Sequence, residues 1–73
     1  MQILEFELDR DYIELNMLLK LVGVADSGGQ GKVIVDSGVV SVDGVQELRR
    51  TAKIRAGQQV RLEDEVEIRV VAG

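Results

Sequence analysis

The chain contains no cysteine, histidine, proline or tryptophan, and its only aromatic residues are Phe6 and Tyr12. Each absence removes a class of structure or function. Without cysteine, 73 residues cannot be stapled by disulfides or thiolate–zinc clusters, so one small core must hold the fold unaided. Losing histidine and cysteine together removes the commonest general base, the commonest nucleophile–base pairs and most transition-metal sites. Carboxylates remain, but Glu63, Asp64 and Glu65 are contiguous, and neighbours on an extended chain face opposite ways. That describes a solvated turn rather than an acid–base pair. With only two aromatics there are no stacking platforms for tracking a single strand. No apolar run approaches the roughly 18 to 20 residues that span a bilayer, and the opening MQILEFELDR carries acids where a secretory signal would carry bases. These absences predict a non-catalytic, cytoplasmic, monomeric protein of one domain over residues 1–73. No cofactor, metal, small-molecule substrate or membrane partner is expected.

The net charge of −4 argues at first against a polyanion as ligand. Its distribution argues otherwise. Through Leu19 a single base, Arg10, faces five acids, whereas Lys20 to Val60 holds six bases against four acids, a balance of +2. From Arg61 onward two bases face four acids, so the middle of the chain is basic and its ends are acidic.

Hydrophobic periodicity sets out the elements. In ILEFELD, Leu4, Phe6 and Leu8 alternate with Ile3, Glu5 and Glu7, the period of a half-buried strand. In YIELNMLLKLVG, Leu15, Leu18, Leu19 and Val22 recur at helical spacing, and Gly23 stands where a helix would close. The glycine-rich stretch ADSGGQGKVIVDSG is harder to read. Gly28, Gly29 and Gly31 each cost a helix about 1 kcal/mol relative to alanine, and Val33, Ile34 and Val35 favour strands. Against that, Ser27 and Gln30 form a capping box, with the serine oxygen taking the Gln30 amide and the glutamine side chain returning to the Ser27 amide. The cap, together with Gly38 at the far end, predicts a helix over Gly28 to Ser37. Asp43-Gly44 between valines reads as a two-residue hairpin turn, RRTAKIRAG as a loop or irregular strand, and the segments around Glu63–Glu65 as a second hairpin with Val66, Ile68 and Val70 facing inward. The predicted class is α+β, two short helices packed on a small antiparallel sheet.

The glycines do not make a nucleotide loop. With Gly31-Lys32 as the GK pair, a phosphate loop needs glycine at Asp26 and a hydroxyl at Val33, and the dinucleotide pattern needs glycine at Ile34. What remains is charge beside a helix start. Lys32 lies in the first turns of the second helix, and Arg49, Arg50, Lys53 and Arg55 crowd the segment after the first hairpin. If that segment lies beside the helix, its cations and the bare amides of Gly28, Gly29 and Gln30 form a patch suited to the phosphates of a folded RNA.

The run from YIELNMLLKLVGVADSGGQGK through SGVVSVDGVQELRRTAKIRAGQQV resembles the RNA-binding domain first described in small-subunit ribosomal protein four, the αL motif, over about Tyr12 to Val60. It is similar above all to the small stand-alone bacterial branch, the YbcJ/YaaA type. The resemblance implies structured RNA as the partner, ribosomal or tRNA-like, and association with the ribosome or its precursors. It also implies an RNA face of Gln30, Lys32, Arg49, Arg50, Lys53 and Arg55, joined by Gly28 and Gly29 at the helix start. Ser27 would cap the second helix, and Gly31 would take the close helix–helix contact where the family usually carries alanine. Ile34, Val35, Val40 and Val42 would be core, and Gly44 would close the hairpin. One departure is Gly28, which stands where the larger family commonly has arginine and leaves more of the burden to Lys32 and the arginine-rich segment. Two other readings compete. One is a protein adaptor working through an acidic strand face at Glu5, Glu7, Glu65 and Glu67. The other is a ubiquitin-like sulfur carrier, whose terminal Gly-Gly would here be Ala72-Gly73 and whose single central helix contrasts with the two expected.

Overall fold

A computed structural model describes all 73 residues. The chain runs β1 (Gln2–Leu8), β2 (Ile13–Glu14), α1 (Leu15–Leu21), α2 (Gly28–Asp36), β3 (Val40–Val42), β4 (Val45–Gln46), β5 (Lys53–Ile54), β6 (Gln59–Leu62) and β7 (Val66–Ala72). The two helices pack on a five-stranded sheet ordered β1-β7-β6-β3-β4, and β2 and β5 form a separate two-stranded ladder. The α+β class and the two helices are as the sequence predicts, but the sheet is mixed. Strands β3, β4, β6 and β7 are antiparallel neighbours, and β1 joins the edge parallel to β7, with Leu4 opposite Ile68 and Phe6 opposite Val70.

Alternation in β1 and β7 sends Leu4, Phe6, Leu8, Ile68 and Val70 to the helix side, where they meet Leu15, Leu18, Leu19, Val35, Val40 and Val60 in one apolar cluster. Of the residues expected in the core, Val35 and Val40 are fully buried, and Ile34 and Val42 pack against the cluster half-covered. Both hairpins form. Asp43 and Gly44 take φ of 51° and 84°, the pair of left-handed residues that a two-residue turn matching strand twist requires. Asp43 then reaches across, its Oδ1 accepting from the Gln59 amide at 2.9 Å, which ties the first hairpin to the start of β6.

Helix α2 starts where the capping residues say. The Ser27 hydroxyl accepts from the Gln30 amide at 3.1 Å. The return bond differs from the expected box, because the Gln30 side chain accepts from the amide of Asp26, not of Ser27. Strand-favouring Val33-Ile34-Val35 is helical because that geometry buries Val35 completely against the core. The close approach of the helices is set by Gly31, where a Cβ would lie 2.5 Å from the backbone oxygen of Asn16 in α1.

Candidate nucleic-acid interface

The basic segment after β4 is tied to the rest of the fold along its backbone. Its apolar members Ala52 and Ile54 are buried, and strand β5 pairs Lys53 with Glu14 and Ile54 with Ile13. Helix α1 has no side-chain cap, and the carbonyls of this segment take its place: Leu15 donates to Ala52 at 2.9 Å and Asn16 donates to Arg50 at 3.1 Å. With Ala52 and Ile54 turned inward, the charged residues between and around them face solvent.

The result is a shallow hollow of about 820 Å³ walled by Lys32 from α2 and by Leu48, Arg49, Arg50, Thr51, Ala52, Lys53 and Arg55. It has five cations in its wall and no carboxylate. Two of the cations have partners at the rim. Arg49 grips Glu47 with both arms of its guanidinium at 3.1 and 2.9 Å, and these bonds hold the Glu47 carboxyl below its ordinary range. Arg50 reaches Asp36 in the last turn of α2 at 3.0 Å. Exposed pairs of this kind are worth about 0 to 1 kcal/mol each and are easily exchanged for phosphate. Lys32, Lys53 and Arg55 meet no carboxylate. Lys53 and Arg55 instead lie over the ring of Tyr12, at 4.9 and 6.0 Å from its centroid.

The structure thus brings Lys32, Arg49, Arg50, Lys53 and Arg55 together, and sets Gly28, Gly29 and Gln30 apart from them. The amides of Gly28 and Gly29 have no hydrogen-bond partner in the protein, but they open α2 beside α1 rather than in the hollow. Gly28 packs under Met17, and a Cβ there would lie 3.3 Å from the Met17 Sδ. Gln30 is engaged at both its amide and its side chain by the cap. Three contributors escape a reading of sequence. Leu48 and Thr51 join the hollow's wall, and Tyr12 becomes a support for its cations. Only the pairing of β2 with β5 places Tyr12 there, and nothing local to position 12 signals it. Asn16 is buried as well, donating through Nδ2 to the Gly28 carbonyl at 3.3 Å while its Oδ1 has no partner.

The acidic strand face is a different surface from the one its composition suggests. Glu67 is buried and held by Arg69 at 2.7 Å and Arg61 at 3.2 Å, and Glu5 stands opposite Arg69 in the sheet register. Of the four carboxylates only Glu67 is held by arginine, while Glu5, Glu7 and Glu65 have no ion-pair partner.

The family model described as S4 domain matches residues 6–71, nearly the whole chain. The chain belongs to the S4 domain family. Its relatives include the Escherichia coli (strain K12) protein named "Putative RNA-binding protein YbcJ", 49% identical over 49 residues, which span 67% of this chain and 70% of that one. YbcJ of Shigella flexneri matches to the same extent. The solution structure of E. coli YbcJ, described as revealing an ALFAL motif involved in RNA-binding, superposes with a TM-score of 0.69 at 39% identity, covering 99% of this chain and 89% of the other. Membership of this family, with its two helices, overturns the sulfur-carrier reading. As for a membrane, no helix of this S4 domain is long and apolar enough to cross one.

Proposed function

We propose that this protein binds structured RNA, ribosomal RNA or a ribosome precursor, as a monomeric module without catalysis of its own. The observation that carries the proposal is the hollow with five cations and no carboxylate in its wall, on a chain whose net charge is −4. Family membership and the RNA-binding descriptions of its YbcJ relatives support the same ligand class. Phosphate is the group the hollow suits, since guanidinium and ammonium donors converge there and water screens them only in part. A folded RNA suits it better than an extended strand, because the cations are clustered across one concave face rather than strung along a groove.

With about four phosphates neutralised, log K should fall with log salt at a slope of about −3 to −4, and non-specific dissociation constants should lie at about 10⁻⁴ to 10⁻⁶ M. The triple variant Arg49→Glu, Arg50→Glu, Lys53→Glu tests the placement by fluorescence anisotropy on ribosomal RNA hairpins. All three side chains are exposed, so the variant should keep its fold and lose binding by about 100-fold or more, as each reversal replaces an attraction with a repulsion. A folded triple variant that binds as the parent does would place the site elsewhere.

A further inference from the structure

Next to the hollow, on the other side of Tyr12, lies a second groove of about 530 Å³. Its chemistry is unlike the first. Tyr12, Ile13, Met17 and Leu21 supply apolar surface, Asp11 and Glu14 stand among them without an ion-pair partner, and Arg10, paired with Asp9 at 3.5 Å, completes the lining. Met17 and Leu21 are one helical turn apart on α1, and Leu21 is 57% exposed, an apolar side chain left open to water. Tyr12 belongs to this groove, while the two cations that lie over its ring, Lys53 and Arg55, belong to the wall of the hollow. The two depressions therefore adjoin at one aromatic ring.

We infer that this groove takes a single unpaired nucleobase, stacked on Tyr12, from the same RNA whose phosphates lie in the hollow. The inference rests on the RNA reading above and narrows it to an RNA with an unpaired nucleotide beside a helix. A phosphate is disfavoured in the groove by Asp11 and Glu14, whose two unpaired charges outweigh that of Arg10, itself already paired with Asp9. An uncharged flat ring is not repelled. It covers apolar surface, and its exocyclic amine can donate to either carboxylate, as a base edge does in other protein–nucleic acid contacts. The cations over the Tyr12 ring set the backbone of that nucleotide on the hollow's side, so base and phosphate divide between the two depressions by their own chemistry.

Tyr12 is the chain's one tyrosine and there is no tryptophan, so intrinsic fluorescence excited at the tyrosine band reports on this position alone. The test uses the full chain with two RNAs, a hairpin with an unpaired loop and a blunt duplex of the same stem. The hairpin at saturation should quench Tyr12 and the duplex should not. Tyr12→Ala should weaken hairpin binding by about 5- to 150-fold more than it weakens duplex binding, the range for loss of one stacked base. Tyr12→Phe, which keeps the ring, should restore the hairpin affinity. Equal weakening on both RNAs would make Tyr12 a prop for Lys53 and Arg55 and overturn the inference, as would bound hairpin without quenching or equal quenching by the duplex. In each of those outcomes RNA still binds and the RNA reading survives, whereas binding of neither RNA overturns both. Should Tyr12→Ala fail to fold, the quenching contrast in the parent protein decides alone.

Discussion

The outer face of the sheet and the hollow beside α2 are both rich in arginine, yet Arg61 and Arg69 converge on one buried carboxylate while Lys32, Lys53 and Arg55 meet none. On the sheet the cations finish a structural task. Glu67 is taken out of water, and two guanidinium groups satisfy the charge it would otherwise leave unpaired. In the hollow the cations exceed the carboxylates that reach them, Asp36 and Glu47, and both of those sit at the rim. The same residue types therefore serve folding on one surface and remain available for a ligand on the other. The difference lies in what the backbone holds nearby, not in the charge count, and it explains how an acidic protein can present a basic surface.

The two surfaces part most clearly when charge is removed from each in turn. Arg61→Gln with Arg69→Gln strips Glu67 of both partners and should lower the melting temperature by several degrees, but should leave RNA affinity within about twofold of the parent. The triple reversal in the hollow should do the opposite in proportion, costing less melting temperature, through its exposed pairs with Glu47 and Asp36, while binding falls by about 100-fold or more. Calorimetry and anisotropy on the two variants check both halves. A sheet variant that loses RNA binding as severely as the hollow variant would mean that the two surfaces are not separate.

Between the surfaces stands the α1–α2 contact, on which the placement of Lys32 depends. Gly31→Ala puts a methyl group 2.5 Å from the Asn16 carbonyl oxygen, a backbone atom that cannot swing away. The helices must part, at a cost of about 1 to 3 kcal/mol, measurable by urea denaturation. Binding should weaken less than stability does, because the hollow is built mainly from the segment that α1's first amides anchor.

Acid should cost the sheet face more than the hollow. The hydrogen bond from Arg69 first, and that from Arg61 after it, hold the Glu67 carboxyl below its ordinary value of 4.5, and Arg49 does the same for Glu47. A depressed carboxyl binds fewer protons folded than unfolded, so its stabilisation is complete above the unfolded value and is lost as pH falls through the folded one. The melting temperature should therefore hold from pH 7 to about 5 and drop below pH 4.5, with Glu67→Gln flattening the drop. Glu47→Gln should flatten it less, since its partner Arg49 is mostly in water.

How far such surfaces can be read from sequence depends on the range of the cause. The Asp43-Gly44 turn, the Ser27 cap and the alternation of β1 and β7 are local, and each leaves a mark within a few residues. The parallel pairing of β1 with β7 leaves none, because alternation states that a strand is half-buried and not which strand lies beside it. Strand β5 has two residues, too few for a period, although Ala52 and Ile54 flanking Lys53 do carry the inward–outward pattern. The cation cluster was legible because four of its five members lie within seven residues of chain, Arg49 to Arg55. Which of them would be spent on Asp36 and Glu47, and which would lean on Tyr12, depends on contacts between segments far apart in sequence.

Lys32 gives the finest test of the comparison, because it is the one cation of the hollow contributed by a helix and it has no ion pair to lose. Lys32→Ala should change stability little, since an exposed lysine without a partner in the first turns of a helix is replaced by the best helix former. On RNA it should weaken affinity a few-fold and reduce the steepness of the salt dependence by about 0.7 to 0.9, the share of one phosphate. Lys20, in the last turn of α1 and outside the hollow, is the matched control. It carries the same charge on a chain of the same net charge, so general attraction would register its loss as strongly as that of Lys32. If the salt slope responds to Lys32→Ala and not to Lys20→Ala, the hollow and not the overall field holds the phosphates. Equal responses would mean that binding is diffuse, and the distinction between finished and available arginine would then say nothing about where RNA sits.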